Sequence, residues 1–85
     1  MMGRVRGKEA IAIMVESIAD EIGPHRLSQF EYRVRGQMAK DHPLGGTAHD
    51  WITAMARVIV DADDTKADKG FQKGIRRIRE AAAKR

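Results

Sequence analysis

The chain has 85 residues, no cysteine and a net charge of +4 at pH 7. This length supports one small hydrophobic core, which excludes a second domain. The absence of cysteine excludes disulfides and thiolate metal sites and favours a reducing compartment, so we expect a cytoplasmic protein. No apolar run approaches the length of a membrane span, and the short run 11–15 between Glu9 and Glu16 is too short for a secretory signal.

Residues 1–7 contain two glycines and two arginines, a composition that predicts a flexible basic arm. Residues 8–22 follow with a helical period. The apolar side chains on the predicted core face of this first helix are Ile11, Met14, Val15, Ile18 and Ile22. Gly23 and Pro24 form a stop signal, so this helix is predicted to end there.

A second helix is predicted over residues 28–41. Ser28 and Glu31 have the spacing of a reciprocal capping box, and Leu27 is placed to pack against Tyr32 as a hydrophobic staple. The predicted core face of this helix is Phe30, Val34 and Met38. Pro43 disfavours helical geometry at the residue before it, so residues 41–46 are predicted to be a loop.

A third helix is predicted over residues 47–63, because Thr47 and Asp50 repeat the capping-box spacing. Its apolar arc consists of Trp51, Ile52, Met55, Val58, Ile59 and Ala62. Asp61, Asp63 and Asp64 lie at the predicted end of this helix, where their negative charge opposes the helix dipole. The same charge would favour the start of another helix. A break is therefore predicted near Asp64, although a single bent helix over residues 48–83 remains an alternative.

The last helix is predicted over residues 65–84, opened by the cap-like pair Thr65 and Asp68. Its apolar stripe is Phe71, Ile75, Ile78 and Ala82, and Gly70 and Gly74 are interpreted as weak points. Together the four helices predict an all-α domain over residues 8–85. The sequence does not choose between an orthogonal and an up-down bundle.

Charge is the main functional signal of the chain, since residues 69–85 carry seven Lys or Arg against one Glu. Basic side chains on one helix gain affinity for phosphates by releasing condensed counterions. The predicted phosphate contacts on the last helix are Lys73, Arg76, Arg77, Arg79 and Lys84. The alternative is a solvated basic face that is neutralised in part by the acidic first helix and the aspartate block.

A second candidate surface lies on the predicted second helix. If the first two helices form a helix-turn-helix unit, Ser28, Gln29 and Arg33 would reach base edges. Arg26 and Arg35 would then touch phosphates. Pro24 in the turn and Gln29 at an apolar anchor position speak against that unit. The alternative is an ordinary helical corner broken at Gly23 and Pro24.

Three large apolar side chains fall off the predicted core stripes: Ile13, Tyr32 and Val60. One exposed apolar residue on each of three helices is what a dimer or partner contact would leave in so small a domain. The sequence therefore predicts a homodimer, with these residues as candidate interface positions.

Metal binding, nucleotide binding and catalysis find little support in the sequence. The block Asp61, Asp63, Asp64 and Asp68 lacks the glycine and the final acid of a calcium loop. The three histidines do not form a zinc pattern, and the Gly45-Gly46 turn lacks the length and the lysine of a nucleotide-binding loop. No cofactor, metal or catalytic residue is predicted.

We therefore expect a small non-enzymatic binding protein, most simply a regulator that contacts nucleic-acid phosphates. The alternative is a protein-interaction module or inhibitor, such as a small phage or bacterial protein that binds a host protein. The two differ in the side chains they need, because loss of Tyr32 or Val60 would affect only the second.

Overall fold

The computed structural model describes residues 5–62 and 65–84, which form three α-helices. They are α1 (Gly7–Asp41), α2 (Ala48–Ala62) and α3 (Ala67–Ala83), and α1 packs against both of the others. The all-α class is confirmed. The predicted number of four helices is wrong, because the first two predicted helices run together as α1.

The first two helices join through a break of one residue. Gly23 alone within α1 has non-helical backbone angles, with φ 80° and ψ 161°. Glycine reaches positive φ without the steric cost that a side chain imposes. The next residue, Pro24, suits the first position of a helix, because its φ is already helical and no amide donor is needed there. Helical geometry therefore resumes at once, and the connection predicted for residues 23–27 is wrong.

The capping box predicted at Ser28 and Glu31 is not formed. The Ser28 hydroxyl instead donates a hydrogen bond of 3.3 Å to the backbone oxygen of Pro24, one turn earlier in the same helix. Tyr32 is 80% exposed, so the predicted staple with Leu27 is also wrong. Both patterns require a free helix end, and here the helix has already begun four residues earlier.

The capping box at the start of α2 is confirmed. The backbone amide of Thr47 donates to Asp50 Oδ2 at 2.9 Å, and the amide of Asp50 donates to Thr47 Oγ1 at 3.3 Å. The loop before it is a tight turn, in which the Gly45 amide donates to the backbone oxygen of His42 at 2.9 Å. The predicted loop and helix start are therefore correct to within a residue.

The break predicted near Asp64 is also confirmed, since α2 ends at Ala62 and α3 begins at Ala67. The alternative of one bent helix is wrong. Asp63 and Asp64 themselves lie outside the described residues. In the pair Thr65 and Asp68, the Asp68 amide donates to the backbone oxygen of Thr65 at 3.3 Å, and the N-cap residue Lys66 makes no side-chain capping bond.

The core contains most of the side chains that periodicity assigned to it. Those predicted for the first three helices and found buried are Ile11, Met14, Ile18, Ile22, Phe30, Val34, Met38, Trp51, Ile52, Met55, Val58 and Ile59. Val15 is partly buried and Ala62 is exposed. In the part of the chain that the structure describes, no helix combines the length and apolar character needed to cross a membrane.

The packing of α3 differs from the prediction. Its fully inward stripe is Ala67, Gly70, Gly74, Ile78 and Ala82, whereas Phe71 and Ile75 are only partly buried. The two glycines are therefore contact points with α1, and their interpretation as weak points misses this role.

The segment before α1 belongs in part to the core. Val5 is 2% exposed. A Cβ added at Gly7 would lie 2.8 Å from the Trp51 ring. Of the predicted arm, residues 1–4 lie outside the described residues. Residues 5–7 hold the start of α1 against α2.

Candidate nucleic-acid interface

The basic side chains of α3 point outward because its small residues point inward. Gly70 and Gly74 lie against α1 within the buried stripe of this helix, so the side of α3 opposite that stripe faces solvent. All five phosphate contacts predicted on this helix are exposed: Lys73, Arg76, Arg77, Arg79 and Lys84. Lys69 is exposed as well.

One flank of this basic surface faces acidic side chains of α1. A shallow depression between the helices is lined by Glu16, Ser17, Asp20, Lys73, Arg76 and Arg77. The Arg77 guanidinium donates a hydrogen bond of 2.9 Å to Glu16 Oε2. A second depression along the same seam brings Lys84 and Arg77 near Glu9 and Glu80. The partial neutralisation that the sequence left as an alternative is thus present on this flank.

The second predicted cluster lies elsewhere on the molecule. Arg26, Gln29 and Arg33 are exposed on α1 beyond Gly23 and border a groove formed with the end of α2. The α2 side of that groove is lined by Val58, Ile59, Asp61 and Ala62. This cluster shares neither of the α3 depressions, so the structure groups the predicted contacts into two sets.

The helix-turn-helix interpretation is wrong for this pair of segments. Such a unit needs a turn of about 3–4 residues between its helices, whereas only Gly23 departs from helical geometry here. The segment is the helical corner that stood as the alternative. Arg26, Gln29 and Arg33 therefore do not sit on a recognition helix of that type.

The predicted interface residues have different environments. Ile13 is partly buried and borders the seam with α3. Tyr32 and Val60 are 80% and 75% exposed. Leu44, which the sequence reasoning did not single out, is 93% exposed at the tip of the loop before α2. Its position directly after Pro43, off any helical stripe, was the available signal.

The polar group at the start of α2 caps the helix. The backbone amide of Thr47 holds the pKa of Asp50 below its ordinary value of 3.8, partial burial opposes this, and the Thr47 hydroxyl reinforces it. His42 and His49 lower the Asp50 pKa further through their charge, and His42 Nε2 lies 3.6 Å from Asp50 Oδ1. The start of α2 is thus capped by a carboxylate of the chain itself, that of Asp50.

Within residues 5–62 and 65–84, no three His, Asp or Glu side chains are grouped so as to hold a metal ion. Asp61 and Asp68 are the members of the aspartate block that fall within these ranges, and both are exposed. Comparisons with protein-family models, curated proteins and solved structures find no match to this chain. The fold and surface define it as a small all-α protein with a basic outer helix.

Proposed function

We propose that this protein is a small non-enzymatic regulator that binds the phosphate backbone of a nucleic-acid duplex with the outward face of α3. The observation that carries the proposal is the orientation of α3. The helix packs through its small-residue stripe, and its exposed side presents Lys69, Arg76 and Arg79. Lys69 and Arg79 border neither of the two acidic depressions in the α1–α3 seam.

The spacing of these cations favours contact with an extended polyanion. Lys69 and Arg76 are seven residues apart, so they lie on the same side of α3 and about 10 Å apart along its axis. Arg79 stands one turn further on. Contacts of this kind fix a protein on a duplex without reading its sequence, and their affinity falls steeply with salt.

A duplex is favoured over a single strand by the aromatic residues. Phe30 and Trp51 are buried and Phe71 is partly buried, which leaves Tyr32 as the exposed aromatic side chain of the described chain. Binding of single strands relies on aromatic side chains that stack on successive bases. We further propose that Arg26, Gln29 and Arg33 form a second, weaker contact surface and that the protein acts as a cytoplasmic homodimer.

The experiment that tests the proposal is fluorescence anisotropy of a labelled random-sequence duplex titrated with protein at several salt concentrations. The wild type is compared with R76A/R79A, which removes two outward guanidiniums. The double variant should bind more weakly and show a salt slope lower by about two, since each phosphate contact adds about 0.9 to the slope.

The matched control is K8A/K40A, which removes two exposed cations from α1 and changes the net charge equally. It should bind much as the wild type does. Equal weakening of both double variants would show that affinity depends on net charge and not on the position of Arg76 and Arg79. Absence of binding by the wild type at low salt would refute the proposal.

A second candidate function is docking onto another protein. It is favoured by Tyr32, Val60 and Leu44, whose exposed large apolar side chains a partner protein could remove from water. In this proposal the chain is an interaction module or inhibitor of a host protein, and α3 contributes charge complementarity.

A further inference from the structure

The ion pair between Arg77 on α3 and Glu16 on α1 lies on the flank of the basic surface. We propose that Glu16 is an internal competitor for phosphate, which occupies Arg77 in the free protein and is displaced when a duplex binds. The inference rests on the proposed nucleic-acid function and deepens it, because it names a residue that sets the affinity of that surface.

The pair is a product of tertiary packing. Its residues are 61 positions apart in the chain and meet at 2.9 Å. The close approach of the helices places them there, since Gly74, three residues before Arg77, leaves room for Met14, two residues before Glu16. Asp20 and Lys73 border the same depression. The acidic side of α1 therefore runs along one flank of α3.

The chemistry of the pair makes it displaceable. A carboxylate and a phosphate offer the guanidinium the same kind of charged acceptor oxygens. The side chains of Arg77 and Glu16 are 43% and 68% exposed, and exposed ion pairs of this kind are screened by water and weak. A phosphate that arrives on a duplex can therefore replace Glu16, at a modest cost in affinity.

The test compares duplex affinity of the wild type with that of E16Q, which keeps the shape of the side chain and removes its charge. The expected result is binding that is tighter by about two- to fivefold, the factor that corresponds to the loss of one exposed ion pair. The matched control is E31Q. Glu31 pairs with Arg35 at 3.2 Å on the far half of α1, so this variant changes net charge and one ion pair equally.

A direct readout separates displacement from long-range repulsion. The Nε–Hε resonance of Arg77 in NMR spectra should differ between free wild type and free E16Q. It should move to a common position in the two duplex complexes. If Glu16 only repels the duplex, the Arg77 resonance of the wild type stays at its free position in the complex, which would overturn the inference.

The outcomes distinguish the two proposals. Tighter duplex binding by E16Q, with the affinity of E31Q equal to that of the wild type, supports both the nucleic-acid function and the role of Glu16. Binding by the wild type with equal effects of E16Q and E31Q leaves the nucleic-acid function in place and overturns the role of Glu16. No duplex binding by either the wild type or E16Q at low salt overturns both proposals.

Discussion

Gly70 of α3 lies directly against Ile18 of α1. A Cβ added at Gly70 would come within 2.4 Å of Ile18 Cγ2 and within 2.7 Å of its Cα. The missing side chain lets the two helices approach until backbone meets backbone. The same contact sets which side of α3 is buried, and hence which of its cations reach solvent.

The variant G70A should destabilise the fold. The added methyl group meets the backbone of Ile18, which cannot move aside as the end of a flexible side chain can. Overpacking of this kind typically lowers the free energy of unfolding by about 1–3 kcal/mol. Urea denaturation followed by circular dichroism measures the change.

The control for that experiment is G36A. Gly36 lies in α1, is exposed, and has open space where a Cβ would be placed. Alanine is preferred over glycine in a helix by about 1 kcal/mol, so G36A should stabilise the protein. A G70A variant as stable as the wild type, with G36A stabilised, would show that Gly70 does not lie against Ile18.

The variant G23A should also destabilise the fold, for a different reason. A Cβ at Gly23 meets nothing within 4 Å, so the cost is conformational, because φ 80° with ψ 161° is a region that L-residues avoid. Strain of this type costs about 1–3 kcal/mol. If G23A were as stable as the wild type, α1 would have to pass through Pro24 without this break.

Stability should depend on the ionisation of Asp50 at low pH. The folded-state pKa of Asp50 lies below its ordinary value of 3.8, chiefly because the Thr47 amide bonds to the carboxylate. The contribution is therefore fully present above the unfolded pKa. It is lost as pH falls through the lowered folded pKa.

The variant D50N isolates that effect, since its amide oxygen can still accept a hydrogen bond but does not titrate. The wild type should be more stable than D50N near neutral pH, and the difference in unfolding free energy should shrink below about pH 4. A difference that stays constant down to acid pH would show that the carboxylate charge contributes nothing to the cap.

The exposed side chains of Tyr32 and Val60 test the proposed homodimer separately from the duplex contact of α3. The variant Y32S/V60S should leave duplex affinity unchanged, because neither residue lies on α3. It should reduce self-association if these side chains form the dimer contact that the sequence predicts. Size-exclusion chromatography with light scattering measures the mass, and a monomeric wild type would contradict homodimerisation.

Much of the fold follows from local patterns in the sequence. The capping box of Thr47 and Asp50 formed because both groups lie within one turn and need no partner from elsewhere. Ser28 and Glu31 have the same capping-box spacing but form no capping box, because Pro24 had already started the helix. A capping pattern predicts a helix start only where no earlier residue has supplied one.

The candidate site was predictable only in part. The excess of cations on the last helix is visible in the sequence, and their exposure follows from the predicted apolar stripe. The pairing of Arg77 with Glu16 is not visible, because a separation of 61 residues leaves the partner undetermined. Leu44 was missed although its position directly after Pro43, in the predicted loop and off any helical stripe, was visible in the sequence.

The sequence by itself determined the all-α class, most of the core side chains of α1 and α2 and the concentration of positive charge near the end of the chain. These properties depend on residues three or four positions apart, within reach of local periodicity. The tertiary structure alone decided that Gly70 and Gly74 meet α1, and therefore which flank of α3 faces acidic side chains. Interhelix contacts depend on the shapes of two surfaces together, and no local pattern contains both.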